Sequence, residues 1–179
     1  MPKYTALEIA DHFGMEALTG EGGYFLQTYK SDERIPEGLL LGRKGEKPIG
    51  TAILFLMTTR AFSRMHRLAS DEVFHFYMGD KVEMLALYPN GESQVVSFGN
   101  DLLAGELVQF TVPRGTWFGL RVLPNGERDW ALLGTTMAPG YDDLDFEGGD
   151  FEELKTLLKN KEHLPLLELL SGPANYDLE

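Results

Sequence analysis

An all-β fold of the sandwich or barrel type, with a short N-terminal helix and helices at the C-terminus, is predicted by three observations. Short β-rich runs recur between residues 23 and 136: GYFLQTY, TAILFLM, EVFHFYM, VEMLALY, QVVSF, LVQFTV, WFGLRVL and WALLGTT. Turn signals separate them at intervals of roughly 8–12 residues, the rhythm of a sandwich or barrel. Helical patterning is confined to the two ends of the chain.

At the N-terminus, Thr5 and Glu8 stand at capping-box spacing, and Ala6, Ile9, Ala10 and Phe13 share one helical face. Gly14 stops the helix, so it runs over about residues 5–13. The barrel follows over about 22–137, interrupted early by a loop over 31–48 rich in charge, Gly and Pro. Pro89-Asn-Gly-Glu92 and Pro124-Asn-Gly-Glu127 each sit between apolar runs. Asn-Gly supplies the two positive-φ residues of a tight turn, so both predict hairpins. A strap and two helices take up 138–172. Asp150 caps the first, with Glu153 at the capping-box position and Phe151, Leu154, Leu157 and Leu158 as its stripe. Pro165 suits the first turn of the second, and Ser171-Gly-Pro173 ends it. Residues 1–179 thus read as a single domain.

The charge balance excludes several partners. Net charge is −12, and residues 140–179 carry −8 of it, leaving −4 for the rest. Such a chain offers no basic face to a phosphate backbone, so no nucleic-acid partner is expected. The acidic C-terminal part reads as a solubilising surface. No apolar run approaches membrane-spanning length, so no membrane partner is expected either. The first residues lack the order of a signal peptide. With no cysteine, disulfides and thiolate metal ligands are excluded, and a cytoplasmic location is the expectation.

The chemistry-bearing residues cluster in FSRMHRLASDEVFHFYMGD, residues 62–80. Alternation puts Glu72, Phe74 and Phe76 on one strand face and Val73, His75 and Tyr77 on the other. If Glu72 points into the barrel, His75 points away unless a bulge intervenes. Arg64 and His66 are two apart, so on a regular strand they share a face. A guanidinium beside an imidazole combines an anion grip with an acid/base group. Glu21 and Tyr24 belong to EGGYF, whose glycines permit close backbone approach. Gln109 shares a face with Leu107 and Thr111 and would orient a ligand. Trp117 and Phe118 would line a mouth suited to stacking. Asp142, Asp143, Asp145 and Glu147 in the strap lack the spacing of a calcium loop.

His66 lies six residues before Glu72, Gly79 closes the strand, and Pro113-Arg-Gly-Thr-Trp-Phe118 has the form P-x-G-x-x-aromatic. This pair resembles the two motifs of the cupin superfamily. EGGYFLQTYKS, FSRMHRLASDEVFHFYMGD, VPRGTWFG and APGYDDLDFEGGD resemble its cupin-5 (DUF985) branch over about residues 5–150. The resemblance implies a jelly-roll β-barrel, commonly a homodimer, with a pocket inside. In many cupins that pocket holds a divalent transition metal on three histidines and a glutamate. Carried over, His66 and Glu72 match two ligands, while Arg64 and Phe118 stand where histidines would. No cofactor is therefore expected, and His66 and Glu72 are the ligands should a metal bind. Metal-free cupins that epimerise deoxysugar nucleotides carry a similar arginine–histidine strand with histidine as base. Thr19-Gly20 and Leu26-Gln27 replace the His-Pro and Arg-Glu usual in the branch.

The resulting expectation is a metal-independent epimerase- or isomerase-like enzyme for a sugar-like or anionic metabolite. His66 would be base, Glu72 its orienting partner and Tyr24 a possible acid. Arg64, Glu21, Gln109, Trp117, Phe118 and His75 would contact substrate. A non-catalytic carbohydrate or nucleotide binder and a metal-dependent oxygenase or isomerase are the alternatives.

Overall fold

The computed structural model describes residues 4–40 and 43–178. In chain order the elements are α1 (Ala6–Phe13), β1 (Glu16–Ala17), β2 (Tyr24–Lys30), β3 (Arg34–Ile35), β4 (Lys47–Pro48), β5 (Thr51–Thr58), β6 (Ser63–Leu68), β7 (Glu72–Gly79), β8 (Val82–Leu87), β9 (Ser93–Phe98), β10 (Gln109–Val112), β11 (Trp117–Val122), β12 (Trp130–Met137), β13 (Phe146–Gly148), α2 (Phe151–Leu157) and α3 (Leu164–Leu170). One sheet has the order β1-β2-β5-β12-β7-β10 and the other β13-β6-β11-β8-β9. The paired strands of both are antiparallel. β3 and β4 form a separate ribbon in the early loop.

The alternating apolar residues divide into three layers. Phe55, Phe74, Phe76, Leu133, Met84 and Phe118 meet between the two sheets as the main core. Met65, Leu85, Leu87 and Trp117 leave the far face of the smaller sheet and pack under Leu154, Leu158, Leu167 and Leu170 of the C-terminal helical region. Ile9 and Ala10 of α1 cover Leu56, Trp130 and Leu132 on the outside of the larger sheet. β5 serves two of these layers at once, which is why TAILFLM is apolar at nearly every position.

The predicted end caps are present. Thr5 and Glu8 form the reciprocal capping box, and Gly14 closes α1 in the left-handed conformation. Asp150 accepts from the Glu153 N–H at the start of α2. Of the two Asn-Gly turns, only the first makes a hairpin: it joins β8 to β9, which pair throughout. The second joins β11 to β12, which lie in different sheets. The Asp80 carboxylate holds that connection, accepting from the N–H groups of Glu127, Arg128 and Asp129. Among the described residues, no helix is long and apolar enough to cross a membrane.

Candidate functional site

A cavity of about 70 Å³ opens between the sheets, lined by polar groups from four directions. β6 brings His66, β7 brings Glu72, the turn before β2 brings Glu21, and the strap after β12 brings Tyr141. Phe25, Ile53, Phe55 and Phe74 form much of the apolar wall. By the same measure one water needs roughly 10–15 Å³, so the space suits a ligand displacing about five waters, of monosaccharide size or smaller.

A β-bulge aims His66 into this space. Phe118 on β11 faces His66, whereas Leu120 faces Ser63, so three steps along β6 answer two along β11. Ser63 and His66 therefore both serve the cavity side, and Met65 turns to the helices. The bulge needs Gly119 opposite: a Cβ there would lie 2.9 Å from the Ser63 carbonyl oxygen and 3.0 Å from the Met65 nitrogen. His66 then packs on Phe118, with ring centroids 4.2 Å apart. Its Nδ1 donates to the Arg64 carbonyl at 2.7 Å. Burial holds His66 below the ordinary histidine value, against the opposing pull of Glu72 and of that hydrogen bond. The ring is thus neutral near pH 7, with the proton on Nδ1 and a bare Nε2.

Glu21 approaches that nitrogen, with Oε1 3.8 Å from Nε2, a contact too long for a hydrogen bond. Its turn is pressed onto the β5–β6 connection. The Arg64 N–H donates to the Glu21 carbonyl at 2.9 Å. Gly22, at φ 109°, leaves no room for a Cβ, which would stand 2.2 Å from the Phe62 carbonyl oxygen. Ser63 Oγ donates to Glu21 Oε1 at 2.8 Å. Burial pushes the Glu21 carboxyl up to about 7, although that hydrogen bond pulls the other way. Glu72 is likewise pushed up to about 7, by burial first and the Glu21 charge second, against His66 and the Thr135 hydroxyl. Glu72 Oε2 is buried and has no hydrogen-bond partner. Burial, then Asp143 and Glu21, raise the Tyr141 hydroxyl above the ordinary tyrosine value, so it stays a donor.

Several predicted contacts lie elsewhere. Arg64 is not on the cavity wall, because the bulge breaks the alternation that would have aligned it with His66; its Nη1 donates to the Gly20 carbonyl at 3.3 Å. Tyr24 alternates away from Phe25, joins the layer under α1, and donates to the Tyr176 carbonyl at 3.1 Å. Trp117 is buried under the helices with the Arg67 guanidinium 4.5 Å from its ring centre. Phe118 is core beneath His66 rather than mouth. His75 and Gln109 sit on the outer face of the larger sheet, where Gln109 Nε2 and His75 Nδ1 are 3.1 Å apart and Tyr77 stacks on the imidazole. In the strap, Asp142 and Asp145 flank buried Lys47 at 3.2 and 3.1 Å. Tyr141, Gln27 and Thr135 are cavity residues that the sequence reading missed. Strand alternation from Phe25 would have found Gln27; nothing local announces Tyr141.

The chain matches the family model "Cupin superfamily (DUF985)" over residues 7–148. It belongs to that family. An uncharacterized protein of Saccharomyces cerevisiae is 30% identical over 148 residues, covering 77% of this chain and 73% of that protein. A hypothetical protein from Leishmania major superposes with a TM-score of 0.80 at 25% identity, covering 97% of this chain and all of that one. A cupin 2 domain-containing protein from Halorhodospira halophila shares the fold, at TM-score 0.53 and 10% identity over 83% of this chain and 81% of that one.

Some cupins hold a metal, and the donors present here do not fit one. Among the described residues, no three His, Asp or Glu side chains form a group able to bind an ion. Phe118 fills the second-motif histidine position with a buried phenyl ring, and Arg64 is not on the cavity lining. Burial pushes both carboxyls beside His66 up to about 7, so each is only partly ionised near neutrality.

Proposed function

We propose that the cavity of this cupin is a metal-independent acid/base site that isomerises or epimerises a small, uncharged sugar-like substrate. The carrying observation is the convergence of unlike proton carriers: bare Nε2 of neutral His66 faces Glu21 and Glu72, each balanced between its two states near pH 7. With Arg64 off the wall, no Lys or Arg is among the described residues lining the space, and two carboxyls would repel an anion. An uncharged polyhydroxy aldehyde or ketone is therefore the better match.

In the reaction, the C–H bond next to a substrate carbonyl breaks and its proton passes to His66 Nε2. The electron pair moves onto the carbonyl oxygen, which takes a proton from a protonated carboxyl, Glu21 or Glu72. Delivery of that proton from His66 to the neighbouring, former carbonyl carbon of the enediol, with the other hydroxyl's proton passing to the carboxylate, gives the aldose–ketose isomer with no oxidant or reductant. Tyr141 and Glu72 Oε2 would hold substrate hydroxyls.

Deuterium wash-in from D₂O, followed by proton NMR on three- to six-carbon aldoses and ketoses, tests this. Wild type should exchange the carbon-bound proton of at least one sugar, and His66→Gln should lose that exchange about 10²-fold or more. Exchange in no sugar, or equal exchange in His66→Gln, overturns it. The mainly apolar wall favours a second reading, a binding protein without turnover, for which a sugar would raise the unfolding temperature and remain unchanged.

A further inference from the structure

A second concavity, with a volume of about 750 Å³, lies at one end of the sandwich and shares no lining residue with the central cavity. It is bounded by the turn after β6, the turn before β11, the segment after β12 and the early loop. Arg43 and Arg114 line it. We propose that this cleft binds the oxyanion group, phosphate or carboxylate, of a small metabolite, with Arg43 and Arg114 as its cationic contacts.

Charge placement is the first ground. In a chain of net charge −12, arginines find acids readily: Arg34, Arg60, Arg67 and Arg121 each pair with a carboxylate. Neither Arg43 nor Arg114 has a carboxylate within ion-pair distance among the described residues, and both open onto the same cleft. Asp71 is the one acid on the described lining, and its Oδ1 is engaged at 2.8 Å by the Arg114 backbone N–H. A cationic recess on an acidic surface concentrates anions locally.

Preorganisation is the second ground. The Gly115 N–H donates to the Leu68 carbonyl at 2.8 Å, which with the Asp71 contact ties the two turns together and fixes the base of Arg114. Arg43 is half-buried, and its Nη1 donates to the buried Ser70 hydroxyl in the same turn. Among the described residues one of its five N–H donors is so used, and the rest of the planar fork can meet an oxyanion. A partly desolvated guanidinium with only a neutral partner is costly, and a bound anion would offset that cost. Leu39, Leu40 and Pro139 supply apolar walls, so the ligand carries an apolar body beside its charged group.

Isothermal titration of the full chain with phenyl phosphate, and separately with benzoate, at constant ionic strength and against sodium chloride, tests the proposal. Saturable binding of either titrant is expected, weakened at least about tenfold by Arg114→Gln and by Arg43→Gln. His66→Gln should leave it unchanged, which separates this cleft from the cavity reaction. Binding of phenyl phosphate alone identifies a phosphate ester as the class, and of benzoate alone a carboxylate. No saturable binding of either, or binding unaltered in the exposed-site variant Arg114→Gln, overturns the proposal.

Discussion

β6 and β7 each carry a histidine in an apolar, interleaved sequence, yet one histidine lines the cavity and the other lies on the outer face. Along β7, Glu72, Phe74 and Phe76 are buried inward, and Val73, His75 and Tyr77 face out. From Glu72 to Phe76 that is plain alternation, and the register shift against β12 comes only at Tyr77. Along β6, Ser63, Met65, His66 and Leu68 are all buried, because the bulge lets neighbours 65 and 66 enter different apolar layers. The half-buried polar positions of β6, Arg64 and Arg67, stand three apart rather than two, because the bulge adds one residue between the faces they mark. The lesson is that period-2 alternation assigns faces only where the ladder is regular, and a bulge resets it.

The largest test of this contrast is the inward face of β7. Phe74→Ala should cost about 3–5 kcal/mol in urea denaturation, as a buried aromatic against Phe98 and Phe118. A cost near that of an exposed residue would contradict the alternation.

Next is the pH dependence that burial imposes on the inward carboxyl. Glu72 prefers the proton in the folded state, so the folded protein binds more protons than the unfolded one between the ordinary carboxylate value and about 7. Its contribution to stability therefore falls as pH rises through that window and is level above it. His66, held low, works in the opposite sense below its ordinary value. Glu72→Gln should thus gain stability relative to wild type from pH 5 to 8, by on the order of 2 kcal/mol in unfolding free energy at the upper end. A difference that is flat with pH would show that Glu72 is not desolvated.

The bulge itself is tested by Gly119→Ala, whose methyl would press on the Ser63 and Met65 backbone. A loss of about 1–3 kcal/mol is expected, as for overpacking. An unchanged unfolding midpoint would mean that β6 can relax without the bulge. The smallest effect belongs to the outer face: His75→Ala should alter stability by no more than about 0.5 kcal/mol and leave deuterium exchange intact.

Much of the architecture could be read in advance. The eight named β runs correspond to β2, β5 and β7–β12, and the caps at Thr5 and Asp150 mark true helix starts. His66 and Glu72, singled out by the family resemblance, and Glu21, singled out from the EGGYF stretch, all line one cavity. Arg64 and Tyr24 were misplaced for local reasons: a bulge in one case, and in the other a neighbouring residue, Phe25, taking the inward position. Trp117, an aromatic in a glycine-rich motif, could not be told from a mouth residue without the helices that cover it.

By itself, the sequence determined eight of the thirteen strands, the helix starts and the facing of the regular part of β7. Those features depend on side-chain period and on caps formed within a few residues. Tertiary structure alone decided that the second Asn-Gly turn crosses between sheets, held by Asp80 from 47 to 49 residues away. It also decided that Tyr141 joins a cavity whose carboxyls sit near pH 7. Desolvation and convergence are sums over residues distant in the chain, and they exist only once the two sheets close over one another.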